Sequence, residues 1–302
     1  MEALLHIQGD ALSDLTPLFL VHAISGLALP YLSLDSLSDE NERPVYGISS
    51  PLYQHESYTL PCSLDSLALE YVNLIRREIQ PCGPYLLGGW SMGGMVAMRM
   101  AAILELQGEE ILHVILIDSS NPDAIPDFVG NEHSILTSLT FNFLARGLGA
   151  AAQAEIIRAD SDSNSGAEDE SPRSDDLDRH GFDAENSFDN TVSALKWLSR
   201  MRRHIANGLS LIASKNVSST HDLVSAHVTL IKCGSLDEIP ATLSHRRKTA
   251  IQQLFNDSTS GWKLPHMRTL SIPSAAHDHV LDAKHAGELT RVMKTVLDNV
   301  RR

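Results

Sequence analysis

Short apolar runs alternate with helix-like stretches through the first part of the chain. Buried strands are predicted at four of these runs, residues 18–21, 44–48, 84–88 and 113–117. A helical spacing of apolar residues predicts helices between them, near residues 29–34, 64–75 and 94–101. Strands that alternate with helices are typical of a mostly parallel sheet covered by helices on both faces. The sequence therefore predicts one α/β domain over residues 1–302.

The alternation stops at about residue 122 and resumes at about residue 224. Inside this interval, helices are predicted at 135–148 and 192–212, and after it come two strands and a closing helix, at 228–232, 267–272 and 286–300. Residues 155–189 carry twelve acidic side chains against three arginines, a composition that predicts a disordered loop. We expect residues 122–224 to form a helical lid insertion over the carboxyl ends of the strands.

Length and charge narrow the class of protein. A chain of 302 residues with 43% hydrophobic content has enough apolar surface for one large core. The net charge of −14 argues against nucleic acid or an anionic membrane as a partner. The sequence has neither a membrane-length apolar segment nor a targeting signal at its start, so we expect a cytoplasmic protein. Cysteine and histidine spacings match no metal motif, so no metal or other cofactor is predicted.

A glycine-flanked serine lies where a predicted strand turns into a predicted helix. Gly89 and Gly93 surround Ser91, and small residues are needed there because a sharp strand-to-helix turn strains the backbone. The serine would stand at the tip of the turn, beside the N–H groups of the helix N-terminus. This pattern predicts a nucleophilic serine rather than an ordinary glycine-rich turn.

A serine nucleophile needs a base, and the base needs a carboxylate. Asp118 ends the strand at 113–117 and Asp237 follows the strand at 228–232, so both are candidates for the acid. His277 and His279 follow the last strand, and both are candidates for the base. His277 is favoured because apolar side chains follow it three and four residues later, where they would pack it against the sheet.

Two backbone groups are candidates for stabilising an oxyanion. The first is the N–H of Met92, directly after the serine. The second should come from the loop after the strand at 18–21, through Ile24 or its neighbour Ala23. The side chains of these residues matter little, since the backbone would supply both donors.

The chain resembles the thioesterase domains of fungal non-reducing polyketide synthases and, more distantly, the release thioesterases of peptide synthetases. The resemblance is carried by residues 44–47 (PVYG), 83–94 (GPYLLGGWSMGG), 108–110 (GEE) and 116–119 (LIDS). It implies an α/β-hydrolase fold, and the spacing of 27 residues between Ser91 and Asp118 matches the family, which favours Asp118 over Asp237. The family has an aromatic residue after its catalytic histidine, whereas Asp278 follows His277 here, so His279 remains an alternative.

The resemblance implies a thioesterase that takes a polyketide acyl chain from a carrier-protein phosphopantetheine onto Ser91. Hydrolysis, lactonisation and carbon–carbon cyclisation all remain open as the release step. The chain starts at Met1 without a carrier domain, so we expect it to act in trans on an acyl carrier protein or polyketide synthase, although an excised domain is an alternative. An esterase or acyltransferase for a free ester and a non-catalytic binding protein are the competing functions.

Further candidate residues, for an acyl pocket and for carrier-protein docking, lie in the predicted insertion and in two basic segments. Apolar side chains of the insertion helices, Phe143 and Trp197 among them, should form part of an acyl pocket over Ser91. Carrier proteins are usually acidic, and the chain as a whole is acidic too. A carrier protein would therefore dock on local clusters of basic residues. The candidate clusters are Arg200, Arg202 and Arg203, and residues 245–248 (HRRK).

Overall fold

A computed structural model of the protein describes residues 3–146, 183–214 and 224–300, without the side chains of 41 and 183–193. The described residues form a seven-stranded sheet in the order β1-β3-β2-β4-β5-β6-β7. Its strands are β1 Leu4–Gln8, β2 Leu18–Val21, β3 Val45–Ile48, β4 Tyr85–Trp90, β5 Ile111–Ile117, β6 Val228–Ser235 and β7 Met267–Ala276. Strand β1 is antiparallel to β3, and the other neighbours pair in parallel.

Six α-helices accompany the sheet in the described part of the chain. They are α1 Leu64–Glu78, α2 Met92–Leu106, α3 Glu132–Arg146, α4 Asp183–Ala213, α5 His245–Asn256 and α6 Ala283–Leu297. Ser63 is the N-cap of α1, because its hydroxyl accepts a hydrogen bond from the Ser66 N–H. The predicted helix near 29–34 is a short 3-10 turn, Leu29–Ser33. The mostly parallel α/β fold is confirmed.

Both faces of the sheet are buried, which explains the uninterrupted apolar runs. Phe19 and Val21 of β2 face a core formed with α1 and α2. Leu18 and Leu20, their alternating neighbours, face a second core formed with α6. Successive side chains of a strand point to opposite faces, so a strand covered on both sides needs apolar residues at every position.

Helices α3 and α4 lie in the predicted insertion and pack against each other. A small apolar cluster joins Phe141 and Ala145 of α3 to Leu198, Met201 and Ile205 of α4. Residues 155–182 of the predicted acidic loop lie outside the described residues, whereas 183–189 form the start of α4. The end of the predicted helix at 147–148 also lies outside them.

Two elements were not predicted from the sequence. Strand β1 is only partly buried at the edge of the sheet, so it has no run of core residues to reveal it. Helix α5 begins after Ser244, whose hydroxyl accepts from the Arg247 N–H. That N-cap was the signal that could have found the helix. In the stretches described, no helix combines the length and the apolar character needed to cross a membrane.

Candidate active site

Ser91 occupies the turn between β4 and α2 with a strained backbone. Its φ of 56° and ψ of −123° lie in a region that residues with a side chain rarely adopt. A Cβ at Gly89 would lie 2.3 Å from the carbonyl carbon of Gly93, and a Cβ at Gly93 would lie 2.1 Å from the Val21 oxygen. Both glycines are therefore required by the close approach of α2 to the sheet.

Three side chains from separate loops form one hydrogen-bonded line. Ser91 Oγ lies 3.0 Å from His277 Nε2, and His277 Nδ1 lies 2.7 Å from Asp118 Oδ2. Asp118 follows β5, the sheet neighbour of β4, and His277 follows β7. The carboxyl ends of parallel strands meet at one edge of the sheet, which brings these distant residues together.

The Asp118 carboxylate is held from its other side as well. The Cys233 N–H donates to Asp118 Oδ1 at 2.8 Å, and the Asp118 N–H donates to the Ile231 oxygen at 2.7 Å. Burial opposes the charge of Asp118, but the His277 hydrogen bond and charge and the Cys233 N–H hold its pKa below the ordinary value. The carboxylate is therefore ionised and fixed in direction toward His277.

The electrostatics of His277 are dominated by its acidic neighbours. Burial works against the imidazolium, but the hydrogen bond and charge of Asp118, with the charges of Asp278 and Asp237, raise the pKa of His277 to about 9. The imidazolium is therefore strongly favoured at this position. An imidazole that is stabilised when it gains a proton is suited to accept one from Ser91.

The two alternative residues lie close by but make other contacts. His279 Nδ1 lies 2.7 Å from Asp282 Oδ2, and its ring packs edge-on against Phe143 with centroids 5.5 Å apart. Asp237 lines the cavity beside Ser91 and acts on His277 through its charge. The structure thus brings His277 and Asp118 to Ser91, and places His279 and Asp237 around them.

The candidate oxyanion donors flank Ser91. Met92 is the first residue of α2, where a backbone N–H has no acceptor within the helix. Ala23 and Ile24 line the cavity beside Ser91, on the loop that follows β2. Ala23 O accepts hydrogen bonds from His22 Nδ1 at 2.6 Å and from the Gly26 N–H at 3.0 Å. The Ala23 C=O and the Ile24 N–H belong to the same peptide group and point in opposite directions. The hydrogen bonds to Ala23 O therefore also fix the direction of the Ile24 N–H.

Two cavities open beside Ser91 and share part of their lining. The larger, of about 610 Å³, is the acidic cavity, since Asp237, Glu238 and Asp278 lie in its lining. The smaller, of about 360 Å³, is the apolar cavity, whose lining includes Met95, Ile125, Phe128, Leu209, Ile212 and Leu254. Ser91, Asp118 and His277 line both, so the Ser91 hydroxyl stands at their junction.

Comparison with known proteins identifies the family. The family model for the thioesterase domain matches residues 16–246. The chain belongs to the thioesterase domain family. It is 42% identical to the thioesterase pytI of Aspergillus terreus over 99% of this chain and all of that protein. It is also 38% identical to the thioesterase pynI of Aspergillus niger, again over 99% of this chain and all of the relative. The chain is therefore a hydrolase.

Further relatives agree with the predicted resemblance. The non-reducing polyketide synthase PKS12 of Gibberella zeae is 41% identical over 38% of this thioesterase and 6% of the synthase. Among solved structures, the NocB thioesterase domain matches 94% of this chain and 96% of its own, with a TM-score of 0.58 and 21% identity. At that identity the structural likeness shows the fold alone, which is the one predicted. The resemblance to the thioesterase domains of fungal non-reducing polyketide synthases is confirmed.

The two predicted pocket residues of the thioesterase, Phe143 and Trp197, lie in different surroundings. Phe143 lines the acidic cavity, next to His279. Trp197 is in the lining of neither cavity; its ring lies 5.7 Å from that of Tyr53, in the small cluster between α3 and α4. The sequence placed both on helices of the insertion, but the face of α4 that carries Trp197 turns toward the Tyr53 loop.

The predicted basic clusters of the thioesterase are only partly available for docking. Arg200 pairs with Glu56 at 3.3 Å, and Arg203 donates to the Glu56 carbonyl oxygen. Arg247 is buried and pairs with Glu132, so the second cluster loses its central charge. Over the ranges described, no three His, Cys, Asp or Glu side chains come together in a way that could hold a metal ion.

Proposed function

We propose that the protein releases a polyketide acyl chain from a carrier-protein phosphopantetheine through an acyl-Ser91 intermediate. The observation that carries this proposal is the hydrogen-bonded line from Asp118 through His277 to Ser91, at the junction of two cavities. One cavity leaves room for the acyl chain and the other for the pantetheine arm that delivers it. Helices α3 and α4 act as the lid, since Leu136 and Leu209 line the apolar cavity.

In the first step, Ser91 Oγ attacks the thioester carbonyl while His277 Nε2 accepts its proton. The oxyanion that forms is stabilised by the N–H groups of Met92 and Ile24. When the intermediate collapses, the C–S bond breaks and the imidazolium returns the proton to the leaving thiolate. The products are the acyl-Ser91 ester and the free pantetheine thiol. Asp118 stabilises the positive charge of His277 throughout.

In the second step, another nucleophile attacks the acyl-Ser91 ester and gives its proton to His277. Water as the nucleophile yields a carboxylic acid, a hydroxyl of the chain yields a lactone, and an enol carbon of the chain yields a carbon–carbon ring. The proton then passes from His277 to Ser91 Oγ, which restores the enzyme. The substrate arrives on the phosphopantetheine of its carrier, and these steps use no other cofactor.

The relatives support the choice of substrate and partner. Two of them are named thioesterases and match over their full length, and others are regions of non-reducing polyketide synthases. We infer that this thioesterase meets its acyl chain on the carrier domain of a polyketide synthase or on a separate carrier protein. The small-molecule acyl group and the pantetheine arm are then the parts of the substrate that enter the cavities, and the carrier protein stays outside.

The test is intact-mass analysis of the protein after incubation with an acyl-loaded carrier protein. We expect a mass increase of one acyl group on the wild type and none on Ser91→Ala, which removes only a hydroxyl. Faster turnover of a free oxygen ester than of the matched acyl-pantetheine thioester would favour an esterase instead. Failure of a fluorophosphonate to label Ser91 would point to a binding protein.

A further inference from the structure

Helix α5 lines the apolar cavity with one face, and Arg247 lies at the start of that face. The lining residues of the helix are Arg247, Ala250, Ile251, Leu254 and Phe255. Their spacing of three, four, seven and eight residues places them on one side of the helix. Ile251 and Phe255 line the acidic cavity too, and so mark the junction at Ser91. Arg247 lines only the apolar cavity, and it lies about 6 Å along the helix axis from Ile251.

The guanidinium of Arg247 is buried, and one of its N–H donors is not used by the described residues. Arg247 is 5% exposed, and its Nη2 donates to Glu132 Oε2 at 3.3 Å. Its Cζ lies 4.9 Å from the centroid of the Phe128 ring. The Nε–H is buried and has no acceptor among the residues that the structure describes. A buried donor without an acceptor is costly, which is why most such groups in proteins are paired.

Lys232 also lines this cavity, and its hydrogen bonding differs from that of Arg247. The Lys232 ammonium donates to Leu254 O at 2.9 Å, Asp257 O at 2.6 Å and Ser260 Oγ at 2.9 Å. An ammonium has three N–H donors, so Lys232 has none left for a ligand. Of these two side chains, Arg247 is therefore the one that retains a donor for a bound molecule.

The charge balance around Arg247 restricts the ligand that would fit. Burial opposes the charge of Glu132, but hydrogen bonds from Ser244 and Val129 and the charge of Arg247 hold its pKa below the ordinary value. Glu132 is thus an anion, and the pair is neutral as a whole. A second carboxylate would place two anions against one guanidinium in apolar surroundings. A neutral oxygen acceptor fits better.

We propose that Arg247 binds a keto or hydroxyl oxygen of the acyl chain, several carbon atoms from the thioester, at the far end of the apolar cavity. This inference rests on the proposed function and adds to it the residue that recognises an oxygen of the acyl chain. The acyl chain would leave Ser91, follow the apolar face of α5 and meet Arg247 with an oxygen. An unsubstituted alkyl chain fills the same cavity but leaves the Nε–H without an acceptor.

Two thioesters of N-acetylcysteamine test the proposal, a medium-chain saturated acyl group and its matched analogue with a keto oxygen near the far end. We expect the wild type to favour the keto thioester by about tenfold to a hundredfold in kcat/KM, as for a hydrogen bond to a charged donor. The preference should disappear in Arg247→Met combined with Glu132→Gln, which leaves no buried charge unpaired. Arg246→Met, at the exposed neighbouring position, is the matched control and should retain it.

Binding separates this proposal from the proposed function. The stable amide analogues of the two substrates are titrated into Ser91→Ala by calorimetry, so the result does not depend on turnover. Tighter binding of the keto amide supports the role of Arg247 even if no thioester is hydrolysed, an outcome that would count against the proposed function alone. Equal binding and equal kcat/KM of both chains by the wild type would overturn the proposal, whether or not the double variant folds.

Discussion

His204, on helix α4, donates a hydrogen bond from Nδ1 to the carbonyl oxygen of Ile24 at 3.0 Å. The ring is fully buried, and burial, with the nearby His22, lowers the pKa of His204 to about 3. His204 is therefore neutral at any working pH. A Cβ at Gly26 would lie 2.8 Å from this ring, so the glycine makes room for it. Through this contact α4 holds the loop that carries the candidate oxyanion donor.

The first prediction concerns this hydrogen bond. His204→Ala should lower kcat by about tenfold to a hundredfold with little change in KM, less than the 10²–10³ that follows outright removal of an oxyanion donor. The physical reason is that the Ile24–Ser25 peptide, directly after the Ile24 N–H, loses a contact that holds the loop in place. Steady-state kinetics on one thioester, below the melting temperature of every variant, give both constants.

Two further variants control for a merely structural effect. His133→Ala also removes a histidine that contacts α4, through Ala206 O at 2.9 Å, but leaves the oxyanion loop alone. It should retain kcat. His204→Asn keeps an N–H near the position of Nδ1 and should restore part of the loss. Equal losses of kcat in His204→Ala and His133→Ala would show that the contact with Ile24 has no part in catalysis.

The second prediction concerns the acid. Asp118→Asn should lower kcat by a factor on the order of 10³–10⁴, because an amide neither fixes the productive tautomer of His277 nor stabilises its charge. Asp237→Asn should cost far less, since the structure gives Asp237 a charge effect on His277 and Asp118 the hydrogen bond. Single-turnover acylation by a thioester measures both. A larger loss in the Asp237 variant would reverse the assignment.

The third prediction concerns pH. His277 accepts the Ser91 proton only when it is neutral, and its pKa lies at about 9. The value of kcat/KM should therefore increase with pH from neutral toward that midpoint. Negative neighbours stabilise the imidazolium, so removing one lowers the pKa and increases the neutral fraction. Asp278→Asn should move the acidic limb of the profile to lower pH and raise activity at neutral pH severalfold.

A matched variant makes the pH prediction specific. Asp282→Asn removes a carboxylate that is bonded to His279 and is not among the groups with the largest effects on the pKa of His277. Its pH profile should coincide with that of the wild type. An Asp278→Asn profile that also coincides with the wild type would mean that His277 does not control the acidic limb.

The fourth prediction separates the two aromatic residues of the insertion. Phe143→Ala enlarges the acidic cavity, which is left for the pantetheine arm when the acyl chain occupies the apolar cavity, and should change the preference between an acyl-pantetheine thioester and the shorter N-acetylcysteamine thioester of the same acyl group. Trp197→Ala removes a half-buried ring from Tyr53 and should lower the free energy of unfolding by about 1–3 kcal/mol, below the cost for a fully buried aromatic residue. Steady-state kinetics with the two thioesters and thermal unfolding of both variants give the comparison. A change of this preference in Trp197→Ala alone would contradict these placements.

The sequence by itself determined the local parts of this protein. The run at Leu18–Val21 is a strand with the predicted bounds, because a strand buried on both faces needs four apolar residues in succession. The strained turn at Ser91 is visible as Gly89 and Gly93, because no other residue fits where α2 approaches the sheet so closely. Both patterns depend on neighbours within a few residues.

Only the tertiary structure decided which distant residues meet. His277 and His279 are close neighbours along the chain, and the short 3-10 turn after β7 points one ring at Ser91 and the other at Asp282. The end of β6 likewise distinguishes Asp118 from Asp237, because the Cys233 N–H donates a hydrogen bond to the Asp118 carboxylate. The sequence favoured His277 and Asp118, the members of each pair that the structure brings to Ser91, but it had no geometry with which to choose.

The same limit explains the burial of Arg247 and the position of Trp197. A basic segment such as residues 245–248 is typical of a solvated surface, and its second arginine is buried only because Glu132, more than a hundred residues earlier, packs against it. Trp197 meets Tyr53 across a similar separation. Pairings between residues so far apart depend on how the elements pack, and a local pattern carries no information about that packing.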